Sequence, residues 1–390
     1  MYVIKFIIIL ILIFITNINN DIIIEYRKET QIDEKDQPFL IGELLGASKY
    51  NNGYHLFDPI QNKVIKLDLN GDFVSDIITE GRGPSETLSM NSFFVNYNKE
   101  RIIIPDGQNM RVLSTDFDGN EKSIMHYDPS DMNLPSEITN YKNHKYLFNF
   151  SIAPEQNMRL FKDNDKLFHF FDLEKGEHLY SFGKRQEILT ILQYDGGAAV
   201  RTNFDVGNSL FTDENTMLFA PSIYGGKILV FRKKASDTWE QASIINSDQW
   251  EREPFIDLKE EKEIVNDELT DIDLEDIDSS REVSRTVGSM GYSLGLINYR
   301  SAGIYSLDEG YVHFVVSEHE TEDSYYQELH AEIIDEELNL LGTDKIRRAE
   351  ESQIFYRVDN TEEAETFLLT IREQKDYYSS IEEFSLAIER

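Results

Sequence analysis

The sequence predicts an all-β protein, a six-bladed β-propeller of four-stranded antiparallel blades. Aromatic residues make up 12% of the chain, with 24 Phe and 20 Tyr, and such side chains favour the pleated surface of a β-sheet. A strand-and-turn pattern occurs twice in succession in the N-terminal part, and its rhythm continues in weaker form to the C-terminus. Internal repetition of this kind indicates an array of equivalent sheets.

The clearest repeat joins segments 55–72 and 103–120, which align without a gap. Each segment carries an apolar strand that ends in Asp, a polar turn, and a second strand that also ends in Asp. The two segments therefore predict the same pair of strands in two neighbouring blades. The matched positions are Asp58 with Asp106, Lys63 with Arg111, Val64 with Val112, Asp68 with Asp116, and Gly71 with Gly119.

Flanking residues complete four strands in each of these two blades. Asn70-Gly71 and Asp118-Gly119 predict two-residue hairpin turns, because such pairs tolerate the positive φ that these turns require. The remaining strands are expected over 41–47 and 73–78 in the first copy, and over 92–97 and 122–127 in the second.

Four further blades are expected from less regular sequence. The third repeats a two-strand hairpin over 166–182, with its turn at Lys175-Gly176. The sixth lacks one strand, and 22–27 is expected to supply it by pairing with the C-terminal strand, which leaves no long exposed sheet edge. The strands of the fourth, fifth and sixth blades are expected over 209–220, 227–232 and 239–245; over 302–306, 311–316, 328–335 and 339–343; and over 353–358, 366–372 and 380–388.

The N-terminus predicts a signal peptide over residues 1–20, followed by a propeller domain over 21–390. Residues 6–15 form an unbroken apolar run behind Lys5, and a helix of that length spans roughly 15 Å, about half of a hydrocarbon core. No A-x-A-like cleavage site follows, so anchoring by an uncleaved segment is the alternative. We expect export to the periplasm, the cell surface or the medium, with no membrane span after cleavage.

One long insertion interrupts the repeats, over about residues 250–280. Segment 250–278 holds 13 acidic residues against three basic ones. Its apolar residues have helical rather than alternating spacing, around Leu258, Ile264, Val265 and Leu269. We expect an acidic excursion, helical or mobile, on one face of the propeller.

The composition excludes several classes of function. The formal net charge is −34, and such a surface repels nucleic-acid phosphates and anionic lipid headgroups. We therefore expect no nucleic-acid partner, and a monomer kept in solution by its charge. The chain has no cysteine, which rules out disulfides, cysteine-ligated metal centres, a thiol nucleophile and a cysteine-linked lipid anchor.

The loop after the first hairpin reads Glu80-Gly-Arg-Gly-Pro-Ser-Glu86. It resembles the G-x-G-P-G-E signature of six-bladed β-propeller proteins exported by Bacteroidetes and related bacteria, which are similar to NHL-repeat and TolB-like propellers. The strong match covers about residues 41–127, and Ser85 stands where that family usually has Gly. The resemblance implies an exported propeller whose relatives are mostly of uncharacterised function.

Four residues of this loop are expected to have structural roles. Gly81 and Gly83 suit positive φ, and Pro84 fixes the exit of the loop. Glu86 is expected to accept hydrogen bonds from the backbone at a blade junction.

Three residues are candidates for ligand binding: Asp58, Asp106 and Arg82. The two aspartates recur at equivalent strand ends, and Arg82 lies in the signature loop. The alternative is a turn role for both aspartates and an ion pair with a nearby acid for Arg82.

No pattern predicts a catalytic or metal-binding residue. None of the eight His lies in an H-E-x-x-H motif. His313 lies in an alternating strand and is expected to be a packed or edge histidine, whereas His319 is expected at a solvated hairpin tip. Ser181-Phe-Gly-Lys184 matches S-x-x-K, but it follows a strand rather than opening a helix.

Calcium is the one cofactor that the fold class leaves open. Segments 68–72 and 116–119 look like fragments of calcium loops, but hairpin turns explain them. A calcium site needs several oxygen ligands that converge on one point. A six-bladed lactonase would assemble them on the propeller axis from different blades, which a linear sequence neither shows nor excludes.

Three functions are compatible with these features. The first is a binding module that presents its central funnel to a protein, peptide or glycan, without catalysis. The second is a calcium-dependent hydrolase or lactonase, or a lyase, with its site in the funnel. The third is a scaffold whose acidic insertion holds a basic partner. Converging Glu, Asp, Asn or His on the axis would favour the enzyme, and an aromatic and neutral lining would favour binding.

Overall fold

The structure is a computed structural model. Most of its strands form six four-stranded antiparallel sheets, the blades of a propeller. It describes residues 23–33, 44–50, 53–90, 92–126, 135–142, 145–150, 166–192, 207–250, 254–257, 283–288, 291–320, 325–350, 353–373 and 378–389. The expected signal peptide lies outside the described residues.

The first described strand, β1 (Ile23–Asp33), belongs to the last blade, and the first three blades follow it along the chain. Blade 1 consists of β2 (Gly46–Tyr50), β3 (Gly53–Asp58), β4 (Lys63–Leu67) and β5 (Phe73–Glu80), with β6 (Glu86–Thr87) parallel to β5. Blade 2 consists of β7 (Phe94–Asn96), β8 (Arg101–Asp106), β9 (Arg111–Thr115) and β10 (Glu121–His126). Blade 3 consists of β11 (Pro135–Lys142), β12 (Lys145–Phe150), β13 (Lys166–Asp172) and β14 (Glu177–Lys184).

A short helix, α1 (Arg185–Leu192), separates blade 3 from blade 4 and was not predicted. Blade 4 consists of β15 (Gly207–Asp213), β16 (Thr216–Pro221), β17 (Lys227–Lys233) and β18 (Trp239–Asn246). Blade 5 consists of β22 (Tyr299–Ser306), β23 (Tyr311–Glu320), β24 (Tyr325–Ile334) and β25 (Leu340–Arg348). Blade 6 consists of β26 (Gln353–Asn360), β27 (Thr366–Glu373), β28 (Tyr378–Glu389) and β1.

The N-terminal strand closes the ring, as the sequence predicted. Strand β1 pairs antiparallel with β28, placing Ile24 opposite Ile388 and Tyr26 opposite Leu386. It is therefore the outermost strand of blade 6, in the order β1-β28-β27-β26. The paired segment is longer than the predicted 22–27, because β1 continues to Asp33.

Aromatic packing between neighbouring blades explains the high Phe content. Among the described residues, six apolar clusters lie in the ring, and each joins residues of two successive blades, including blades 6 and 1. Phe57 of blade 1 stacks on Phe93, next to blade 2, with ring centroids 3.6 Å apart. Phe168 of blade 3 meets Phe219 of blade 4 edge-on at 5.0 Å. Burial of one Phe side chain contributes about 1.5–3 kcal/mol, so these interfaces hold the blades together.

The repeated turns contain the expected glycines but are longer than predicted. Gly71 and Gly119 have φ of +83° and +80°. The backbone closes between residues 68 and 72, and again between 116 and 120, so the two-residue turns were wrong. Asp68 accepts hydrogen bonds from the backbone of residues 70 and 72, and Asp116 accepts them from 118 and 120. The extra residue is accommodated because these carboxylates satisfy the loop amides.

One strand within the insertion and two strands after it were not predicted from the sequence. Strands β19 (Phe255–Asp257), β20 (Val283–Gly288) and β21 (Gly291–Ile297) form an antiparallel sheet with β21 in the middle. Strand β19 lies where a helical or mobile excursion was expected, and its pairing with β21 makes this part of the insertion extended. The rest of the predicted helical segment, 258–278, lies outside the described residues.

Two histidine positions and one strand boundary can be compared with expectation. His313 is fully buried, as predicted for a packed histidine. The hairpin-tip position of His319 was wrong: the residue lies in β23 opposite Tyr326, whose ring stacks on the imidazole at 5.1 Å. The strand expected over 41–47 begins only at Gly46 among the described residues. Within the described ranges, no helix has the length and apolar character to cross a membrane.

Candidate functional site

The innermost strands of all six blades surround one cavity of about 390 Å³. Each blade places its first strand toward the axis, except that blade 6 places β26 there and β1 on the outside. The cavity is therefore a product of ring closure and belongs to no single blade. Representative lining residues, from blade 1 to blade 6, are Ser48, Asn96, Glu137, Asn208, Tyr305 and Arg357.

Charged side chains converge in this cavity from blades 3 and 6. Arg357 donates through Nε to Asp359 Oδ1 at 2.6 Å, and the other oxygen of Asp359 accepts from the backbone N–H of Ala47 at 3.1 Å. Glu137 joins them from β11. The cavity thus holds one guanidinium and two carboxyl groups.

Burial changes the protonation of both carboxyl groups. It raises the pKa of Glu137 to about 7, while Arg357 lowers this pKa and Asp359 raises it by smaller amounts. Burial also raises the pKa of Asp359, against the opposing charge of Arg357. Because burial outweighs the charge of Arg357, Glu137 is close to half-protonated near neutral pH.

Tyrosine and asparagine side chains complete the lining. Tyr305 donates its hydroxyl to the carbonyl of residue 358 at 2.5 Å, and Tyr97 donates to that of residue 360 at 2.9 Å. Burial raises the pKa of both phenols, so they remain hydrogen-bond donors. Asn96 donates to Asn140 Oδ1 at 3.3 Å. The bonds of Tyr305 and Asn96 join neighbouring blades, and the bond of Tyr97 joins blade 2 to blade 6.

The lining is suited to recognition of a polar ligand. Phe93 lies beneath the Arg357 guanidinium, 4.9 Å from its carbon to the ring centroid, and stacks on Phe57, so it supports the guanidinium from below. Among the described residues, no group of three His or carboxylate ligands gathers on the axis. Both oxygens of Asp359 already accept hydrogen bonds, from Arg357 and from the backbone N–H of Ala47, which disfavours a cation at that carboxylate.

The two recurring aspartates lie outside the cavity. Asp58 is fully buried, and its Oδ1 accepts from the backbone N–H groups of Ile60 and Gln61, both at 3.0 Å. Asp106 is also fully buried and accepts from Arg111 Nε at 3.2 Å. Both side chains organise the turn that follows their strand, and neither lines the axis.

The signature loop lies at the outer end of blades 1 and 2. Its carboxylate, Glu86, accepts from the backbone N–H of Gly83, and a Cβ on Gly81, which has φ of +151°, would lie 2.1 Å from Glu86 Oε2. Arg111 donates to the carbonyls of Gly83 and Glu86. Arg82 is exposed, forms no ion pair with the described residues and does not line the cavity. Pro84 is exposed in the same loop.

Sequence reasoning missed Glu137, Arg357 and Asp359. The available signal was weak: Arg357 and Asp359 alternate with Val358 in an otherwise strand-like segment, which places both on one face. Only the closed ring shows that this face of β26 points toward the propeller axis. Glu137, from blade 3, lines the same cavity.

A second buried polar network lies in blade 5. Ser301 Oγ lies 2.8 Å from His313 Nε2, and His313 Nδ1 lies 2.8 Å from Glu332 Oε2, which is the connectivity of a catalytic triad. Ser301 is only 6% exposed, however, and Glu332 also accepts from Tyr224 and Trp250 at 2.7 and 2.8 Å. The serine hydroxyl is closed off from solvent, and the carboxylate accepts from several donors. We therefore assign this network a structural role.

Comparisons with known proteins agree with this architecture. Residues 34–214 match the family model DUF5128, described as a 6-bladed beta-propeller. A solved structure of a DUF4221 family member from Bacteroides vulgatus is 10% identical, with a TM-score of 0.54 over 94% of this chain and 99% of that one. The WD40 repeats of RRP9 are 8% identical, with a TM-score of 0.52 over 94% and 100%.

A protein from Bacteroides fragilis described as exported is 13% identical, with a TM-score of 0.49 over 96% of this chain and 97% of that one. A search of curated proteins finds no match. At these identities the structural likeness establishes the fold alone. The chain is a six-bladed β-propeller with four-stranded antiparallel blades.

Proposed function

We propose that this propeller is an exported binding module that captures a hydroxyl-rich polar ligand, the end of a glycan, in its axial cavity. The observation that carries the proposal is the convergence of Glu137 and the Arg357–Asp359 pair in a cavity lined by all six blades. Cavities of about 300–1,000 Å³ with a few convergent polar groups are typical of small-ligand sites.

The chemistry of the lining supports a carbohydrate over a charged ligand. Carboxyl and amide groups can accept from and donate to neighbouring hydroxyls of a sugar. Arg357 is already paired with Asp359, so little net charge remains to attract an ion.

A calcium-dependent hydrolase is the alternative at the same place. It would need Asp359 and Glu137 to ligate an ion together, and the Arg357 guanidinium competes for Asp359. We therefore favour binding without catalysis, and the experiment below separates the two.

The test is a glycan-array and peptide-array screen of the purified protein, followed by calorimetric titration of each hit. We expect carbohydrate hits whose affinity falls at least about tenfold in Glu137→Gln and in Asp359→Asn, since each removes one polar partner. Arg82→Ala is the matched control, because Arg82 lies outside the cavity. Loss of binding in Arg82→Ala alone would move the site to the signature loop. Binding that requires calcium and is abolished by chelator would support the hydrolase instead.

Export is proposed from the apolar run over residues 6–15 and from the resemblance of the loop Glu80–Glu86 to exported Bacteroidetes propellers. Fractionation of cells expressing the full chain, with N-terminal sequencing of the product, tests it. We expect the protein outside the cytoplasm. A cytoplasmic product that retains residue 1 would overturn the proposal.

A further inference from the structure

Three metal-ligating side chains share one face of blade 5. Strands β23 and β24 pair so that Ser317 lies opposite Glu328 and His330 lies opposite Val315. Because alternate residues of a strand face the same side, Ser317, His319, Glu328 and His330 all project from the same face. None of these four residues lines the axial cavity described above.

The ligand atoms of these side chains converge on one point. Glu328 Oε2 lies 3.3 Å from His319 Nε2 and 3.8 Å from His330 Nε2, and the three ligand atoms all lie within 4.8 Å of one another. A tetrahedral ion with ligands at 2.0–2.1 Å separates neighbouring ligand atoms by about 3.4 Å. The spacing therefore matches a small divalent ion without movement of the backbone.

Each of the three ligands is held in place by a neighbour. Lys345 Nζ lies 3.1 Å from the other oxygen of Glu328, which directs Oε2 toward the histidines. The Tyr326 ring stacks on His319, and the Trp250 ring meets His330 edge-on at 5.2 Å. Preorganised ligands of this kind raise metal affinity because little ordering is left to binding.

We propose that His319, Glu328 and His330 form a binding site for one divalent transition-metal ion of the zinc class. Two imidazole nitrogens and one carboxylate oxygen suit Zn²⁺ and its neighbours in the first transition row, whereas Ca²⁺ and Mg²⁺ prefer sites made only of oxygen. Ser317 Oγ lies 2.8 Å from both Nε2 atoms. Its hydroxyl, or a water, would take the fourth position.

The chain contains a matched control for this geometry. In blade 3, Ser181 Oγ lies 2.8 Å from His169 Nδ1 and 2.9 Å from His178 Nε2. This second pair of histidines also flanks a serine hydroxyl, but no described carboxylate completes a three-ligand set there. The proposal therefore requires binding in blade 5 and not in blade 3.

The experiment is a Zn²⁺ titration of the full-length protein, purified without a polyhistidine tag, in competition with a chromophoric chelator. We expect one Zn²⁺ per chain. The affinity should fall at least about 100-fold in His319→Ala, His330→Ala and the isosteric Glu328→Gln, because loss of a direct ligand exceeds the 10–100-fold effect of an outer-shell partner. His178→Ala should bind as tightly as the unchanged protein, and millimolar Ca²⁺ should not displace the ion.

An optical readout locates the ion independently of affinity. The chain has two tryptophans, and in Trp239→Phe only Trp250, which touches His330, remains. Co²⁺ should quench this emission in Trp239→Phe and not after the further change His330→Ala. Circular dichroism of each variant establishes that it is folded. Zinc affinity unchanged in the folded Glu328→Gln and His330→Ala variants, or reduced equally in His178→Ala, would overturn the site.

Discussion

His313 Nδ1 lies 2.8 Å from Glu332 Oε2, and neither side chain reaches solvent. The two residues are opposite each other on β23 and β24, so the contact links the middle strands of blade 5 through their side chains as well as their backbones. Burial raises the pKa of Glu332, but the bonds from His313 and Tyr224 more than offset this and leave it below its ordinary value. The Glu332 carboxylate is therefore ionised, and the hydrogen bonds from its donors stabilise its buried charge.

Removal of His313 should destabilise the propeller strongly. We expect His313→Ala to lower the free energy of unfolding by about 3–5 kcal/mol, because a buried carboxylate loses a partner. Urea unfolding at neutral pH measures the loss. His126→Ala, at an exposed strand end, is the control and should change stability by less than about 0.5 kcal/mol. Similar losses in the two variants would contradict the structural role of the network.

Arg111 and Lys63 occupy equivalent positions of the repeat, but their substitution should reduce stability by different amounts. Arg111 is buried against Asp106 and also holds the signature loop through backbone carbonyls, so Arg111→Met should cost about 3 kcal/mol. The matched position in blade 1, Lys63, forms a half-exposed pair with Asp76 at 3.3 Å, and Lys63→Met should cost under about 1 kcal/mol. Chemical denaturation of both variants measures the two losses of unfolding free energy. A larger loss in Lys63→Met than in Arg111→Met would show that the loop does not depend on Arg111.

Replacement of Glu137 should stabilise the protein only at higher pH. The pKa of this group is about 7 in the folded protein and 4.5 ordinarily, so the folded state binds its proton more tightly. The contribution of this group to the stability of the unchanged protein therefore falls as pH rises from 4.5 through 7. Above pH 7, Glu137→Gln should be more stable than the unchanged protein by at most about 2 kcal/mol. The gain is limited because solvent in the cavity reduces the desolvation of the carboxylate.

The measurement is a series of urea midpoints across this pH range. The difference between Glu137→Gln and the unchanged protein should vanish toward pH 4.5, where both side chains are neutral. Glu121→Gln, at an exposed position, should show no such trend. A difference that is constant with pH would rule out a raised pKa at Glu137.

Substitution by alanine should also destabilise the protein unequally at the two repeated turn glycines. Gly71 and Gly119 both have positive φ, so alanine is strained at either position by about 1–2 kcal/mol. A Cβ on Gly119 would lie 2.2 Å from the carbonyl oxygen of Ile77, whereas one on Gly71 would meet only a side-chain carbon of Ile32 at 3.3 Å. Gly119→Ala should therefore cost about 1–3 kcal/mol more than Gly71→Ala in thermal unfolding. Equal costs would mean that the hairpin of blade 2 moves away from blade 1.

Loss of β1 should open the ring. Deletion of residues 1–33 removes the outer strand of blade 6 and exposes the edge of β28 (Tyr378–Glu389). It also removes the hydrogen bond from Tyr26 to Glu382. We expect calorimetry to show a melting temperature lower by several degrees or a loss of cooperativity. Deletion of residues 1–20 leaves β1 intact and is the control. Equal melting temperatures would contradict a stabilising closure.

Local sequence was sufficient for most of the blades. The strands around Asp58 and Asp106 are bounded by turn residues and alternate in polarity, so their existence and order depend on neighbours in the chain. Helix α1 was missed because its apolar residues pack in a cluster that blades 3 and 4 share. Strand β19 was missed because its partner, β21, lies far along the chain. Strands β20 and β21 form a local hairpin, which the sequence analysis did not identify.

The architecture of this protein was predictable from its amino-acid sequence: the repeated hairpins, the closure by an N-terminal strand and the six-bladed ring. The residues that face the axis, and the side chains that converge there, could be identified only in the folded ring. Asp58 and Asp106 recur because every blade needs a turn. Glu137 and Arg357 meet only because ring closure brings distant blades to one point. Turn chemistry depends on adjacent residues, whereas a site at an axis depends on residues with no relation in sequence.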